Sequence, residues 1–445
     1  MHTFVAPNKS PREGKVYWFN FYNFLALPVM SFLLWLIAVY PFPSRIVAKI
    51  REGIQGRRNL FEDLAAQLQG CAAGQRVWIH ASSMGECEQA QPILRELHSR
   101  FPQAVRVLTL FSPSAYAHLV RPNLPAEVVC YLPFDRLPDV RRFFDLVKPA
   151  TGIFIRHDLW PNFLWEARRR GVTLILADAS VSMNASSLRH KPVVRHFHRE
   201  IFANFDWIGA VSQTATESLL PLVRSPERLR QLGDTRYDQV LFRTQAGELR
   251  RLLPADWQAR AHTFVAGSTW PPDEEIVIPA LAAARTKILN ARMILVPHEP
   301  TEEHLQGAEK LLHKHRLTGC RLSKSFSQPA TEVLLVDRVG VLAELYGAGS
   351  VAFVGGSFGP GVHSVLEAAA HSVPVLFGPR MRNSAEAVEM EQVGIGKIIS
   401  NAEEAARTLI DLLADLPHAQ AWGQKCRAFV EQKAGAAREI VRLLE

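Results

Sequence analysis

Val77-Trp78-Ile79-His80-Ala81-Ser82-Ser83-Met84-Gly85-Glu86 runs from an apolar stretch through a corner of small residues into a polar-patterned segment. An apolar run of strand length that turns into a helix start is the opening of a βα unit. Ser83 and Glu86, three residues apart, are the two ends of a capping box, which places the helix start at this corner. The pattern recurs at residues 105–110, 128–131, 152–155, 174–177 and 207–210, each bounded by turn residues or capped helices. It lapses over the charged, strand-poor stretch 241–261 and resumes at 263–266, 293–296, 333–336, 351–354 and 373–377. Such alternation builds parallel sheets covered by helices, so the fold class is α/β. The expectation is two Rossmann-like domains, 45–240 and 262–445, joined by a linker at 241–261 and facing a cleft, with ligands at the carboxyl ends of the strands.

Composition narrows the function classes. In 445 residues, 48% hydrophobic and 21% charged, a disordered or fibrous chain is excluded. The 51 Lys and Arg against 43 Asp and Glu favour anionic partners such as phosphorylated lipid, nucleotide or nucleic acid, without choosing among them. Cysteines at 71, 87, 130, 320 and 426 form no CxxC and no His/Cys cluster, which removes zinc spacing and a disulfide framework and points to a reducing compartment.

From Val16 to Ser44 there is no charged residue. The densest apolar part, 24–40, lies at the lower edge of the roughly 17–25 residues that cross a bilayer as a helix; a short span and a deep interfacial helix both fit. Trp18, Tyr22, Trp35 and Tyr40 lie towards its ends, where amphipathic aromatics settle at headgroup level. A secretory signal is the competing reading, yet Pro41-Phe42-Pro43 stands where a small-residue cleavage site belongs. Residues 1–44 therefore read as a retained membrane anchor. The basic residues after it (Arg45, Lys49, Arg51, Arg57, Arg58) outnumber Lys9, Arg12 and Lys15 before it, which puts the two domains on the cytoplasmic side. Because strand patterns begin only near residue 77, deletion of 1–44 is expected to leave both domains folded.

Two places carry candidate chemistry. Glu86 either closes the helix start or serves as a general base at a strand-to-helix corner, with Gly85 permitting close approach of a substrate. Gly355-Gly356-Ser357-Phe358-Gly359-Pro360-Gly361-Val362-His363-Ser364-Val365-Leu366-Glu367 follows a strand and opens a helix, where backbone N–H groups bind an anion without a metal. Gly359, Gly361 and His363 are its phosphate-loop candidates. It is neither a Walker A loop nor a GxGxxG fingerprint. Glu367, one helical turn on, either accepts from ribose hydroxyls or is a solvated or helix-paired carboxylate. With Gly378-Pro379 after a further strand, the second half is the nucleotide-holding one.

These residues also carry a resemblance. Ser-Met-Gly-Glu at 83–86, Tyr-Leu-Pro-Phe-Asp at 131–135, Leu-Trp-Pro-Asn at 159–162, Gly-Asp-Thr-Arg-Tyr-Asp at 233–238, Gly-Ser-Thr at 267–269, Gly-Gly-Ser-Phe at 355–358 and His-Ser-Val-Leu-Glu at 363–367 resemble the 3-deoxy-D-manno-octulosonic acid (Kdo) transferases, from the anchor almost to the C-terminus. The resemblance implies a GT-B glycosyltransferase of the inner membrane that moves Kdo from CMP-Kdo to the lipid A precursor in lipopolysaccharide biosynthesis, with no metal, no other cofactor and no nucleic-acid partner. It makes Glu86 the base that deprotonates the acceptor hydroxyl. It sets Arg236 at a basic position, usually lysine, that balances charge on the departing CMP. Pro297, His298, Val339, Gly340, Val341, Ser364, Val365, Leu366 and Glu367 fall on the CMP-contacting segments. The sequence departs from the family at several of them. Pro-Arg is here Pro297-His298, Met-Gly-Glu is Val339-Gly340-Val341, Gly-Gly-His-Asn is Pro360-Gly361-Val362-His363-Ser364, and the first acid of a Glu-x-Glu is Arg156, with Asp158 at the second. A UDP-sugar transferase of the same fold and a membrane-tethered binding protein without turnover are the alternatives.

Overall fold

In the computed structural model, which describes residues 15–39, 44–119, 124–181, 191–245, 252–257, 262–327 and 331–445, the apolar runs pair into two seven-stranded sheets, parallel throughout. The first sheet comprises β1 (Arg76–Ala81), β2 (Val105–Leu110), β3 (Val128–Tyr131), β4 (Thr151–Ile155), β5 (Thr173–Ala179), β6 (Trp207–Ala210) and β7 (Leu229–Gln231), in the order β3-β2-β1-β4-β5-β6-β7. The second comprises β8 (Thr263–Thr269), β9 (Arg292–Pro297), β10 (Gly319–Arg321), β11 (Val333–Leu335), β12 (Val351–Val354), β13 (Val375–Phe377) and β14 (Gly396–Ile398), in the order β10-β11-β9-β8-β12-β13-β14. Three strands absent from the sequence expectation, β7, β10 and β14, all lie at sheet edges and are three residues long. An edge strand is paired on one side only and needs no long apolar run, so its sequence carries little signal.

Strand alternation sets the core. Trp78 points to one face of β1 and lies among Phe143, Phe144, Phe154 and Phe163, with ring centroids 4.9–5.6 Å away, while its Nε1–H donates to Thr109 Oγ1 at 2.8 Å. Truncating so large a buried ring costs about 3–5 kcal/mol. Val77, Ile79 and Ala81 point to the other face and pack with the helix Met84–Arg100. That same layer contains Ala437, Ile440, Val441 and Leu444 from the end of the chain.

The chain divides into two compact units, Met1–Gln239 with Ala434–Glu445, and Val240–Lys433. The sequence expectation kept everything from 262 onward in one domain. The final helix, Ala436–Arg442, instead belongs to the first unit because its apolar side completes the layer beside Ile93 and Leu97. Near the start of the chain, Tyr17–Ile37 is one helix long and apolar enough to cross a membrane, with a π-helical turn at Tyr22–Ala26.

Candidate active site

At the carboxyl end of β1 the chain turns at Ser82 and enters the helix Met84–Arg100, with Ser83 as its N-cap. Ser83 Oγ accepts from the Glu86 amide at 3.3 Å. The Glu86 carboxylate reaches one residue further back than a capping box requires, and its Oε2 accepts from both the amide (2.6 Å) and the hydroxyl (2.7 Å) of Ser82. Oε1 accepts no bond among the described residues. One carboxylate oxygen is thus fixed at the corner by Ser82, as the helix-closing reading requires, and the other takes no bond among the described residues. A Cβ built on Gly85 meets nothing within 4 Å, so the space beside the corner is open.

A pair that the sequence reading did not single out lies behind this corner. His80, the fifth residue of β1, is fully buried, with Nδ1 3.0 Å from Thr109 Oγ1 and Nε2 3.0 Å from Asp158 Oδ2. Trp160 Nε1–H donates to the same Asp158 oxygen at 2.9 Å. Asp158 thus joins the end of β4 to the end of β1. A polar residue closing an apolar run was the available sequence signal.

Arg236 sits one residue into the helix Thr235–Gln245, yet its guanidinium is not a free cation. It holds Asp234 through Nε–H to Oδ2 (2.9 Å) and Nη2–H to Oδ2 (2.7 Å), and its amide donates to Oδ1 (2.9 Å). Arg156 adds a second guanidinium 3.5 Å from Asp234, and its backbone takes a left-handed conformation at φ 61° just after β4. Burial raises the Asp234 carboxyl, but the bonds and charge of Arg236, with Arg156, outweigh it and hold it below its usual value. Neighbouring Asp178 shifts the other way, raised by burial and by the Asp234 charge despite accepting from Thr235 N–H at 3.0 Å. Gln89 Nε2–H bridges the two carboxylates, at 3.0 Å to Asp178 and 3.4 Å to Asp234.

In the second unit, β8, β9 and β12 bring three predicted segments together. The glycine-rich corner after β12 was expected to aim its amides at an anion. Several are instead committed within the loop. Gly356 N–H and Phe358 N–H donate to the buried Asp273 at 2.7 and 3.0 Å, and Trp270 N–H joins them at 2.8 Å. The amides of Gly359 and Gly361 both close onto Gly356 O. Gly356 (φ 82°) and Gly361 (φ 136°) lie in backbone regions that L-residues rarely occupy, so these glycines shape the loop rather than donate from it. The helix Val365–Ala370 begins at the end of this loop, and Ser364 provides it no side-chain cap.

His298, which follows Pro297 at the end of β9, stacks between Trp270 (centroids 5.1 Å) and His363 (4.2 Å). Trp270 Nε1–H donates to His363 Nε2 at 3.1 Å, so a neutral His363 carries its proton on Nδ1. Burial and the adjacent His298 push His363 down to about 4. Val339, Gly340 and Val341 lead into the helix Leu342–Leu345; Val339 is exposed, and Tyr346, just beyond, is fully buried with its phenol raised by burial and by the Glu367 charge. Val365 and Leu366 are buried in helix packing and Glu367 is half-buried. Among the described residues no three His, Cys, Asp or Glu side chains cluster as a metal site.

Residues 53–239 match the profile of a family described as 3-deoxy-D-manno-octulosonic-acid transferase (kdotransferase). A 3-deoxy-D-manno-octulosonic acid transferase of Haemophilus influenzae is 26% identical over 434 residues, 96% of this chain and 98% of its own length. One from Rickettsia felis is 27% identical over 384 residues, 85% and 80% of the two chains. Among solved structures, a UDP-GlcNAc 2-epimerase of Neisseria meningitidis superposes with a TM-score of 0.59 at 13% identity, over 83% of this chain and 99% of that one, which shows a shared GT-B-like fold.

Proposed function

We propose that this chain, similar to Kdo transferases along almost its whole length, is a member of that family and moves Kdo from CMP-Kdo to the lipid A precursor, with the acceptor on the first unit and the donor nucleotide on the second. Glu86 takes the proton of the attacking acceptor hydroxyl. The observation that carries this role is the division of labour within its carboxylate: Ser82 fixes Oε2, while Oε1 remains available at an open corner. A carboxylate oxygen placed this way can accept the proton as the acceptor oxygen closes on the anomeric carbon. Attack opposite the departing phosphate inverts that carbon.

CMP leaves with a single phosphate. Its charge is met by the helix start at Ser364–Leu366 of the second unit, so no metal is needed. The neutral His363, with its Nδ1–H, adds an uncharged donor beside that helix start. Tyr17–Ile37 is a retained anchor in the inner membrane and both units lie on the cytoplasmic side, supported by the basic residues that follow it.

The test is incubation of the purified full chain with CMP-Kdo and an acylated disaccharide phosphate, followed by mass analysis for the increment of Kdo. The expected result is transfer that survives EDTA, with CMP competing against the donor and UDP competing far more weakly. A requirement for added Mg²⁺ together with tight UDP inhibition would reject this donor in favour of a UDP-sugar.

A further inference from the structure

The apolar helix is joined to the first unit by buried polar bonds that a loose membrane tether does not need. Tyr22 O–H donates to Asp135 Oδ2 at 2.7 Å, and both residues are buried, at 8% and 2% exposure. Next to it Asn23 and Asn162 exchange a reciprocal amide pair: Asn23 Nδ2 to Asn162 Oδ1 at 2.9 Å and Asn162 Nδ2 to Asn23 Oδ1 at 2.8 Å. Asp135 is also the cap of the helix Pro161–Arg169, whose Asn162 and Phe163 amides it accepts at 3.1 Å each. Trp18, Phe19 and Tyr22 pack edge-on or tilted against Phe197 and Trp165 around these bonds. The opposite side exposes Tyr17, Phe21, Phe24, Leu25, Phe32 and Trp35. One side of the helix is thus specified for the protein and the other is apolar, aromatic and uncovered.

We propose that Tyr22–Asp135 and Asn23–Asn162 form a clip that makes the apolar helix a fixed part of the first unit, so that its exposed face, embedded in a lipid bilayer, sets the orientation of the carboxyl end of the sheet, where Glu86 lies. The bilayer is the chosen occupant because the helix is long enough to cross it and because exposed Lys49 and Arg58 follow closely, suited to anionic headgroups. The polar bonds supply what apolar burial alone lacks: a unique register and rotation, since the Tyr22 hydroxyl and the Asn23 and Asn162 amides meet partners fixed in the first unit, and a buried donor left without an acceptor is costly. On this view residues 1–44 are not dispensable, contrary to the sequence expectation. Their removal strips Asp135 of the Tyr22 donor and uncovers Trp165. The inference rests on the proposed transfer reaction only for its activity readout.

The experiment compares the full chain with Tyr22→Phe/Asn23→Ala, which removes both clip bonds and leaves the helix apolar. Three measurements are made in vesicles of phosphatidylethanolamine and phosphatidylglycerol: flotation, hydrogen exchange, and transfer to vesicle-embedded against detergent-dispersed acceptor. Expected are unchanged flotation, faster exchange at both 17–27 and 161–165, and a vesicle-to-detergent activity ratio lowered about tenfold through lost orientation. Unchanged exchange in the double variant would overturn the clip. Faster exchange with an unchanged activity ratio would overturn its orienting role. Failure of the parent chain to float, with self-association through the helix instead, would overturn the bilayer as occupant. If no chain transfers Kdo, the exchange data still decide the clip, and only the reaction assigned above fails.

Discussion

Ser82 donates both its amide and its hydroxyl to the same oxygen of Glu86, at 2.6 and 2.7 Å, so the side chain at the end of β1 is oriented before any substrate arrives. Catalytic carboxylates gain from such fixing because the reorganisation is completed in the fold rather than at the moment of reaction.

Glu86→Gln retains an oxygen for the Ser82 donors and cannot accept the proton. Turnover should fall by about 10²–10⁴, with CMP affinity and melting temperature close to those of the parent. Full activity with a lowered melting temperature would mean that the carboxylate is only a cap.

Asp273 receives the amides of Trp270, Gly356 and Phe358, and its carboxyl is raised by burial even against those bonds. Asp273→Ala leaves three N–H groups without an acceptor, each worth about 1–3 kcal/mol when buried. CMP binding by calorimetry should be lost and the second unit should melt earlier. Binding unaltered in a stable Asp273→Ala protein would separate the loop from the donor site.

His363, depressed to about 4 by burial and by His298, is neutral in the folded protein well below the pH at which an unfolded histidine gains its proton. The unfolded chain therefore binds more protons between about 6.5 and about 4, and the contribution to stability is present above that window and lost as pH falls through it. His363 should contribute no titration to donor affinity between pH 5 and 8. In His298→Ala, removal of the stacked ring should bring a titration of His363 into that range, read by NMR of the imidazole. A titration near 6.5 already present in the parent would refute the stacked, neutral assignment.

Asp135 behaves oppositely. Burial raises its carboxyl to about 7, against the bonds from Tyr22, Asn162 and Phe163, with Asp158 adding to the rise. Here the folded chain holds the proton more tightly than the unfolded one, so stability is greatest below the unfolded value near 3.8 and declines as pH climbs to about 7. The melting temperature of the parent relative to Asp135→Asn should decrease over that interval and level off above it. A difference that is flat with pH would show that Asp135 is ionised throughout.

The two sheets were legible because their central strands and the edge strand β3 are apolar runs: β2, β3, β6 and β12 coincide with the runs read from the sequence, and β1, β4, β5, β8 and β9 extend them by a few residues. The apolar helix was legible for the same reason, since an uncharged stretch needs no partner to be recognised. The corner at Ser83 and Glu86 showed itself through local spacing. Burial periodicity and capping act over a few residues, and that is the range over which a sequence speaks directly.

What tertiary structure alone decided are the partners that side chains find across the chain. Asp273 takes the amides of Gly356 and Phe358 from 83 and 85 residues away, turning a glycine loop that reads as an anion cradle into a loop whose donors are largely committed. Asp234 claims Arg236 from two residues away, yet the spacing gave no sign of it, and the other groups that reach Asp234, Gln89 and Arg156, come from distant parts of the chain. Tyr22 meets Asp135 across 113 residues. A hydrogen bond depends on distance and direction between two groups, and neither composition nor periodicity encodes those until the strands have placed both groups in space.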